Sequence, residues 1–368
     1  MSRWPTVTLG DVCEFRYGKS LPASTRHAGE VPVFGSNGRV GSHTVSLTDG
    51  PTVVIGRKGS FGEVHWSPKA CWPIDTTYYV DKTATSVDLR WLSFRLRGLR
   101  LTELNRAAAV PGLNRDDAYR RELLLPPLEE QRRIAAILDQ ADALRAKRRA
   151  SLARLEALVG ALFDGAFDQG STWPTATLDE VVRDGLRNGV SPSTGGGNAG
   201  RVLTLSAVTQ GGFDPSAVKD ATFAGPIREG HLVRRGLILM CRGNGNRSLV
   251  GRAVHVDRDL PGTAYPDTVI AGRLLEERIL PEYFLHEWES ARVRRQVESV
   301  ARTTNGTYKV NQQTLGAVRL RIPPVLQQEE FGRRVQTLED ARRAGVEQLA
   351  LLDGLFASLQ DRAFKGEL

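Results

Sequence analysis

PPLEEQRRIAAILDQADALRAKRRASLARLEALVGALFDGAF, residues 126–167, decides how the rest of the chain is read. From Ile134 the positions advance in alternating steps of four and three: Ile134, Leu138, Ala141, Arg145, Arg148, Leu152, Leu155, Val159, Leu162 and Ala166. A 3.5-residue period keeps one stripe of a helix facing a partner, which is the seam of a left-handed coiled coil. Adding 197 to each number gives Phe331, Val335, Leu338, Arg342, Gly345, Leu349, Leu352, Phe356, Leu359 and Ala363. The register is kept, and the apolar run breaks at the same two central places. Two helices with matched seams in one chain most simply pair with each other.

The sequence before each helix repeats as well. Trp4-Pro5-Thr6-Val7-Thr8-Leu9 returns as Trp173-Pro174-Thr175-Ala176-Thr177-Leu178, at an offset of 169. The second globular segment is therefore 28 residues longer than the first. Each repeat runs from globular segment to long helix, so the chain is a tandem duplication whose variable part is globular. Asn114 and Asn311 each stand 12 residues before a Pro-Pro pair, Pro126-Pro127 and Pro323-Pro324. Proline suits the first turn of a helix, where its missing N–H has no partner to lose. Gly170-Ser171-Thr172 reads as the junction between repeats.

Net charge is +8, and its placement carries the information. Residues 4–125 are net +4 and residues 171–322 net +5, whereas 126–170 is neutral and 323–368 is net −2. A polyanion such as DNA would meet the globular parts. An arginine-rich composition without a nucleic-acid partner accounts for the charge equally well. Cys13, Cys71 and Cys241 show no metal-like spacing and read as buried thiols, in keeping with a reducing compartment. MSRWPTVTLGDV lacks the apolar core of a signal peptide, and no run approaches the ~20 apolar residues of a membrane span. A cytoplasmic protein without a membrane partner is expected.

The first globular segment is rich in strands and turns. Val31-Pro32-Val33-Phe34 enters an Asn37-Gly38 turn, and Thr52-Val53-Val54-Ile55-Gly56 is a buried strand. Glu63-Val64-His65-Trp66 and Thr76-Thr77-Tyr78-Tyr79-Val80 are further strands, and 89–104 has helical spacing. In the second segment Arg201-Val202-Leu203-Thr204-Leu205 and Leu237-Ile238-Leu239-Met240 are strands, and 282–300 reads as one amphipathic helix. Ser193-Thr194-Gly195-Gly196-Gly197-Asn198 reads as a flexible loop without a counterpart in the first segment.

No catalytic constellation emerges. An amino-methyltransferase needs an acid or amide before Pro-Pro and an aromatic after it; Leu125-Pro126-Pro127-Leu128 and Ile322-Pro323-Pro324-Val325 have neither. Gly56, Gly59 and Gly62 have the wrong spacing for a dinucleotide fingerprint, and strand follows where a helix is required. Pro266-Asp267 lacks the downstream Glu-x-Lys of a nuclease, and no GxxxxGK[ST] supports ATP hydrolysis. The six histidines show no ligand pairing, so no metal is expected.

Two loops are suited to binding. Arg57-Lys58-Gly59-Ser60 and Arg242-Gly243-Asn244-Gly245-Asn246-Arg247 leave buried strands at matching points of the repeats. Glycine admits a phosphate close to backbone N–H groups, and Arg or Asn can make bidentate contacts with guanine or adenine. A basic hairpin turn is the plain alternative. Asn37 and Arg39 at the first turn, and Thr303, Thr304 and Lys309 in the polar stretch 302–309, complete the candidate DNA contacts. The first-segment counterpart of that stretch, 107–112, is nearly apolar.

Together these features resemble the specificity subunit of a type I restriction-modification system. The most specific part is LPPLEEQRRIAAILD…RLEAL…LFDGAFD with its C-terminal echo IPPVLQQEEFGRRV…LLDGLFASLQDRAFKGEL, joined by GRKGSFGEVHW…DTTYYV. The resemblance implies a non-catalytic subunit that binds double-stranded DNA. Target recognition domains at 1–125 and 171–322 would each read half of a bipartite sequence. Conserved helices at 126–170 and 323–368 would act as spacer and docking site for two methyltransferase subunits. That complex methylates adenine with S-adenosylmethionine and, with restriction/translocase subunits, cuts unmodified DNA using ATP; both cofactors sit on the partners.

The expected fold class is α/β in the α+β sense: two mixed α/β domains separated by an antiparallel coiled coil, with a pseudo-two-fold internal repeat. A helix over 128–164, about 37 residues at ~1.5 Å each, is ~55 Å long. Half-sites about one turn of DNA apart, ~34 Å, are then within reach of one duplex face. Arg145-Lys147-Arg148-Arg149 reads as a solvated flank, with partner or DNA binding as the alternative. The competing function is a stand-alone sequence-specific DNA-binding regulator or architectural protein.

Overall fold

The computed structural model describes residues 4–104, 112–168, 172–193, 195, 197–304 and 306–368. Two compact units emerge: the residues up to Leu152 together with Ala344–Leu368, and Ala153–Arg343. Both long helices are shared out between them, so each unit holds one globular segment and one portion of a helix pair.

Unit 1 begins with β1 (Thr6–Thr8), α1 (Leu9–Val12), β2 (Arg16–Tyr17), β3 (Val31–Gly35), β4 (Gly38–His43) and β5 (Thr52–Gly56). It continues through β6 (Val64–Ser67), β7 (Trp72–Pro73), β8 (Thr77–Asp81), α2 (Leu89–Gly98), α3 (Arg115–Tyr119) and β9 (Glu122–Leu124). The long helix α4 (Leu128–Phe167) follows the two prolines. Strands pair in a four-stranded sheet, β2-β8-β5-β6, and a three-stranded sheet, β4-β3-β7. Helix α2 stops at Gly98, short of the stretch expected to be helical, and a 3₁₀ turn at Leu101–Glu103 completes it.

Unit 2 repeats this order with additions. It holds β10 (Thr175–Thr177), β11 (Val182–Asn188), β12 (Asn198–Leu203), α5 (Ser206–Thr209), β13 (Val218–Phe223), β14 (Leu237–Cys241) and β15 (Gly243–Asn244). Next come β16 (Ala253–His255), β17 (Thr263–Ala264), β18 (Val269–Leu274), α6 (Pro281–Glu289) and α7 (Ala291–Val300). The unit's globular part ends with β19 (Arg302–Thr304), β20 (Thr307–Lys309), α8 (Gln312–Gly316) and β21 (Arg319–Arg321), before the second long helix, α9 (Val325–Lys365). Its sheets, β11-β18-β14-β16 and β13-β12-β17, copy those of unit 1, and a third, β15-β20-β19, uses a stretch whose counterpart in unit 1 lies mostly outside the described residues. The single helix expected over 282–300 is two: Ser290 breaks it, and its hydroxyl caps α7 by accepting from the Val293 N–H (3.3 Å).

Side chains alternate across a strand, so a sheet packed on both faces needs apolar residues throughout. Val53 and Ile55 enter the main core of unit 1, beside Trp91, Leu92 and Phe94 of α2, while Val54 faces Phe34 and Cys71. In unit 2, Ile238, Met240 and Ile270 face Tyr283, Phe284 and Trp288; Leu239, Cys241 and Val269 face Leu203, Ala207 and Val208. The extra length of the second segment thus supplies a second core layer around α5.

The helices α4 and α9 pack together and join two β-rich domains. Within unit 1 the pairing is antiparallel: Arg145 Nε reaches Asp353 (2.5 Å), and nearer the start of α4 Arg133 Nη2 donates to the Leu368 carbonyl (2.9 Å). Within unit 2 it is antiparallel again, with Val159 and Leu338 lining one shallow groove and the rings of Phe163 and Phe331 5.5 Å apart. No helix among the described residues is long and apolar enough to cross a membrane.

Candidate nucleic-acid interface

The turn that leaves β5 is held by backbone on both sides. The N–H groups of Arg57 and Lys58 donate to the Thr76 carbonyl (2.9 and 3.1 Å), and Leu113 N donates to the Arg57 carbonyl (2.9 Å). Arg57 Nη2 donates to the Asp75 carbonyl (2.7 Å). Ser36 Oγ donates to the same Thr76 carbonyl (2.6 Å), which draws the Asn37 turn to the same end of the domain. Asn37, Arg39 and Lys58 are exposed, and Ser60 is half-buried. Residues 105–111, which include most of the apolar stretch compared with 302–309, lie outside the described residues.

Around Arg57 sits an aromatic group that sequence reasoning missed. Its guanidinium lies 5.2 Å from the Tyr17 ring centre and 5.9 Å from that of Tyr78. Arg115 lies 5.7 Å from Tyr17 and 5.8 Å from Tyr119. Tyr17 is 53% exposed, an aromatic face held between two cations. Burial, aided by the Tyr17 hydroxyl, pushes the Tyr78 phenol up to about 12, so it stays neutral. The available signal was an Arg-Tyr pair on a short strand, too common to single out.

Unit 2 reproduces this arrangement. Arg242 N donates to the Thr268 carbonyl (2.8 Å), Val310 N to the Arg242 carbonyl (2.9 Å), and Arg242 Nη1 to the Asp267 carbonyl (3.0 Å). Arg57 and Arg242 are therefore structural counterparts, each half-buried and braced against the carbonyl of an aspartate. The two polar stretches of the second segment come together in one sheet, with Gly243 opposite Lys309, Asn244 opposite Tyr308, and Thr303 opposite Tyr308. Thr304 pairs with Thr307 through backbone, and Asn305 lies outside the described residues. Arg247 lies 5.9 Å from the Tyr308 ring centre and donates to the Glu298 carbonyl (2.7 Å). Asn244 and Asn246 also serve the loop: Asn244 Oδ1 accepts from Asn246 N (2.8 Å), and Asn246 Oδ1 from Ser248 N (3.0 Å). The loop engages these side chains through their amide oxygens, and among the described residues their amide nitrogens donate to no protein group.

The seam positions divide by unit. Ile134 and Leu138 are fully buried against Trp91 and Phe94, Phe356 is buried, and Leu152, Leu349, Leu352 and Leu359 are half-buried. In unit 2 Phe331 and Val335 are buried, while Leu155, Val159, Leu162 and Leu338 are half-buried. The polar break has a physical reason. Arg145 stacks 4.3 Å from the Phe356 ring centre and pairs with Asp142 and Asp353, so it is no solvated flank. Gly345 leaves room for Leu152, whose Cδ2 lies 2.8 Å from where a Cβ would stand.

Further residues lock the domains to the helices, and they too went unnoticed in the sequence. Gln131 Oε1 accepts from the Asp88 N–H (2.8 Å), while its Nε2 donates to the Pro126 carbonyl (2.9 Å). Gln328 Oε1 accepts from the Leu280 N–H (2.8 Å), and its Nε2 donates to the Pro323 and Arg278 carbonyls (2.7 and 3.0 Å). Both amides are buried, and each satisfies the N–H of the residue just before α2 or α6. Their common offset of 197 was the signal.

Among the described residues no group of side chains could hold a metal ion. The thiols of Cys13, Cys71 and Cys241 are buried, and burial pushes Cys13 up to about 12 and Cys241 to about 11, so neither is a nucleophile.

A profile of the family described as "Type I restriction modification DNA specificity domain" matches residues 1–156. The chain is 26% identical over 266 residues to the type I restriction enzyme EcoKI specificity subunit of Escherichia coli strain K12, covering 66% of this chain and 57% of that one. It is 28% identical over 143 residues to the EcoprrI specificity subunit of Escherichia coli, covering 37% and 35%. The matches thus span about half of those relatives' own length, or less. The fold is similar to that of a type I restriction-modification S subunit from M. genitalium, with TM-score 0.63, 15% identity, and 99% and 96% of the two chains covered. It is similar also to a chain solved in work on complex assembly and conformational transition of the type I R-M system (TM-score 0.60, 16% identity, 99% and 98% covered). With the repeated helices and twin domains in place, residues 1–156 match the type I restriction-modification DNA specificity domain, and the whole fold is similar to that of type I restriction-modification S subunits.

Proposed function

We propose that each globular domain, 1–125 and 171–322, reads one half of a bipartite DNA sequence, and that the helices at 126–170 and 323–368 set the gap and dock two methyltransferase subunits. Restriction/translocase subunits join through that complex, in the cytoplasm. The observation that carries this reading is the repeated arginine turn. Arg57 and Arg242 leave equivalent strands with the same three hydrogen-bond partners, and each stands beside an aromatic ring or a polar sheet suited to base edges. The contacts then fall to Asn37, Arg39, Lys58 and Ser60 in the first domain, and to Asn244, Asn246, Arg247, Thr303, Thr304 and Lys309 in the second. Arg57 and Arg242 position them.

Docking has its own support. Leu351 and Leu355 lie one turn apart on α9 and are 74% and 52% exposed, and Leu144 of α4 is also exposed. Large apolar side chains left in water on a paired helix suit a partner helix. Sequencing of methylated genomic DNA from cells with and without this gene tests the reading. The expected result is a gene-dependent bipartite motif in which Asn244→Ala with Arg247→Ala degrades only one half. Shortening both helices by one heptad should reduce the gap. A contiguous motif, or an unchanged gap, would refute the division of labour.

A further inference from the structure

Beside the end of β14 away from Arg242 lies a cavity of about 400 Å³, lined by Arg183, Arg187, Arg234 and Arg273. Asp184 and Glu229 are the carboxylates of its lining. Glu229 is already engaged, accepting from Arg234 Nε and Nη2 (2.9 and 2.7 Å). Arg183 pairs with Glu277 at 3.7 Å. Arg273 donates one Nη2 to the Arg235 carbonyl (3.0 Å), leaving the rest of its fork free of carboxylates. Arg187 has no carboxylate partner among the described residues, and its Nη1 lies over Gly230, 2.8 Å from where a Cβ would stand. Four arginines thus gather around a concave site, and neither Arg187 nor Arg273 is paired with a carboxylate among the described residues, while Asp184 on the rim has no ion pair among them either. Such convergence is unfavourable in an empty site and favourable around an oxyanion.

The local backbone is built for the cavity. Arg183 pairs with Arg273 and Arg187 with Ala271, so β11 bulges between them. The bulge folds Asp184 (φ 59°) and Gly185 (φ 74°) into the cavity rim. A left-handed aspartate inside a strand carries a cost that persists only where its surroundings impose it. In unit 1 the counterpart β2 is two residues long and has no bulge. The site belongs to the second domain alone.

We infer that this cavity binds a phosphate group. Planar guanidinium forks match phosphate oxygens bidentately, and ~400 Å³ is in the range of small-ligand sites. The phosphate can come from the DNA backbone or from a free phosphate. Leu237 at the cavity and Cys241 before the reading loop are four steps apart on β14, ~13 Å at ~3.3 Å each, or about four base pairs of duplex. A backbone phosphate flanking the half-site fits that separation, and this source rests on the DNA reading above.

The test uses the full chain and Arg187→Gln with Arg273→Gln, with circular dichroism confirming the fold. A labelled duplex and inorganic phosphate are the two probes. If the phosphate is the duplex's, the variant binds DNA more weakly without changing the motif, and the slope of log affinity against log salt falls by about 0.9 for each phosphate no longer neutralised. If it is free, inorganic phosphate raises the melting temperature of the wild type but not of the variant, and duplex binding is unchanged. Asp184→Asn keeps the left-handed backbone accessible and should tighten whichever ligand binds. A wild type that responds to phosphate but binds no duplex would end the DNA reading and leave the cavity's role standing. Wild type and variant behaving alike toward both probes would overturn the inference.

Discussion

The two helices that face the coiled coil, α2 in unit 1 and α6 in unit 2, solve one problem with opposite chemistry. Each is preceded by a residue whose N–H is taken by a buried glutamine, Asp88 by Gln131 and Leu280 by Gln328. Counting from those residues, Phe94 and His286 are equivalent, and so are Arg95 and Glu287. Phe94 meets Phe356 of α9 at 6.0 Å between ring centres, and Arg95 covers Phe364 at 5.0 Å. His286 meets Phe331 at 5.1 Å, and Glu287 is wholly buried in a network with Arg292 and Arg321. Arg321 in turn holds Asp168 and the Phe167 carbonyl at the end of α4. The duplication has kept the uncharged lock and let the charges diverge. A neutral amide satisfying backbone is indifferent to its surroundings, whereas a buried ion is stable only with its own partners.

The largest expected effect comes from breaking the charged side. Glu287 accepts from Arg321 N, Nε and Nη2 (2.9, 2.9 and 2.7 Å), so Glu287→Ala removes the buried partner of Arg321 and leaves it the exposed Asp168 as its one carboxylate among the described residues. Loss of one partner of a buried pair costs about 3–5 kcal/mol. Arg95→Ala removes packing and a cation–π contact and should cost about 1 kcal/mol. Hydrogen exchange resolved by unit measures both. Equal losses would mean that the buried network contributes no more than the half-buried stack of Arg95 on Phe364.

The glutamine locks sharpen the comparison by predicting sameness. Gln131→Leu and Gln328→Leu each leave a backbone N–H and at least one carbonyl without a partner, at about 1–3 kcal/mol apiece. The two losses should agree within about 1 kcal/mol. A large inequality would show that the locks have diverged as the charges have.

The same residues mark what is legible in the sequence and what is not. The 197 offset made the long helices and their seam legible, because a coiled-coil period is repeated many times over. It contained Gln131 and Gln328 too, but one polar residue on a helix looks like solvated surface until its buried partner is known. Arg57 and Arg242 were visible as loop residues; their bracing by Asp75 and Asp267 depends on strands distant in sequence. The break at Ser290 hid inside an unbroken amphipathic pattern, because a capping serine differs little from a helical one. Tyr17 and the arginine cavity lie on short or bulged strands, where periodicity is lost.

Acid should act on unit 2 through His286. Burial lowers the pKa of His286, which packs against Phe163 and Phe331, and Glu339 opposes the shift only in part. A histidine kept neutral in the fold contributes in full above its unfolded value of ~6.5, and that contribution is lost as pH falls through the folded value. Unit 2 should therefore be looser at about pH 5 than at about pH 7, and unit 1, with Phe94 in that place, lacks this contribution. His286→Phe should reduce the response of unit 2, the remainder falling to His255, which burial also holds below its ordinary value. Urea midpoints followed by unit-resolved exchange at the two pH values provide the measurement, and parallel loss in both units would assign the acid sensitivity elsewhere.

The smallest effect on stability should carry the largest effect on recognition. In Arg57→Lys and Arg242→Lys the charge and the backbone bonds of the turn are kept, but the guanidinium fork that reaches the Asp75 or Asp267 carbonyl is removed. Each should cost under ~1 kcal/mol, since one neutral hydrogen bond at a half-buried site is worth about that. Each turn sits in its own unit, so each substitution should relax one half of the methylated motif and leave the other intact. Here the two domains must behave alike despite their different cores. On the proposed function, the braced arginine is the feature the two domains share, whereas Tyr17 in one and the β15-β20-β19 sheet in the other are where base preference would differ. If either lysine variant disturbed both halves, the turns would belong to the stability of the whole chain and not to separate reading heads.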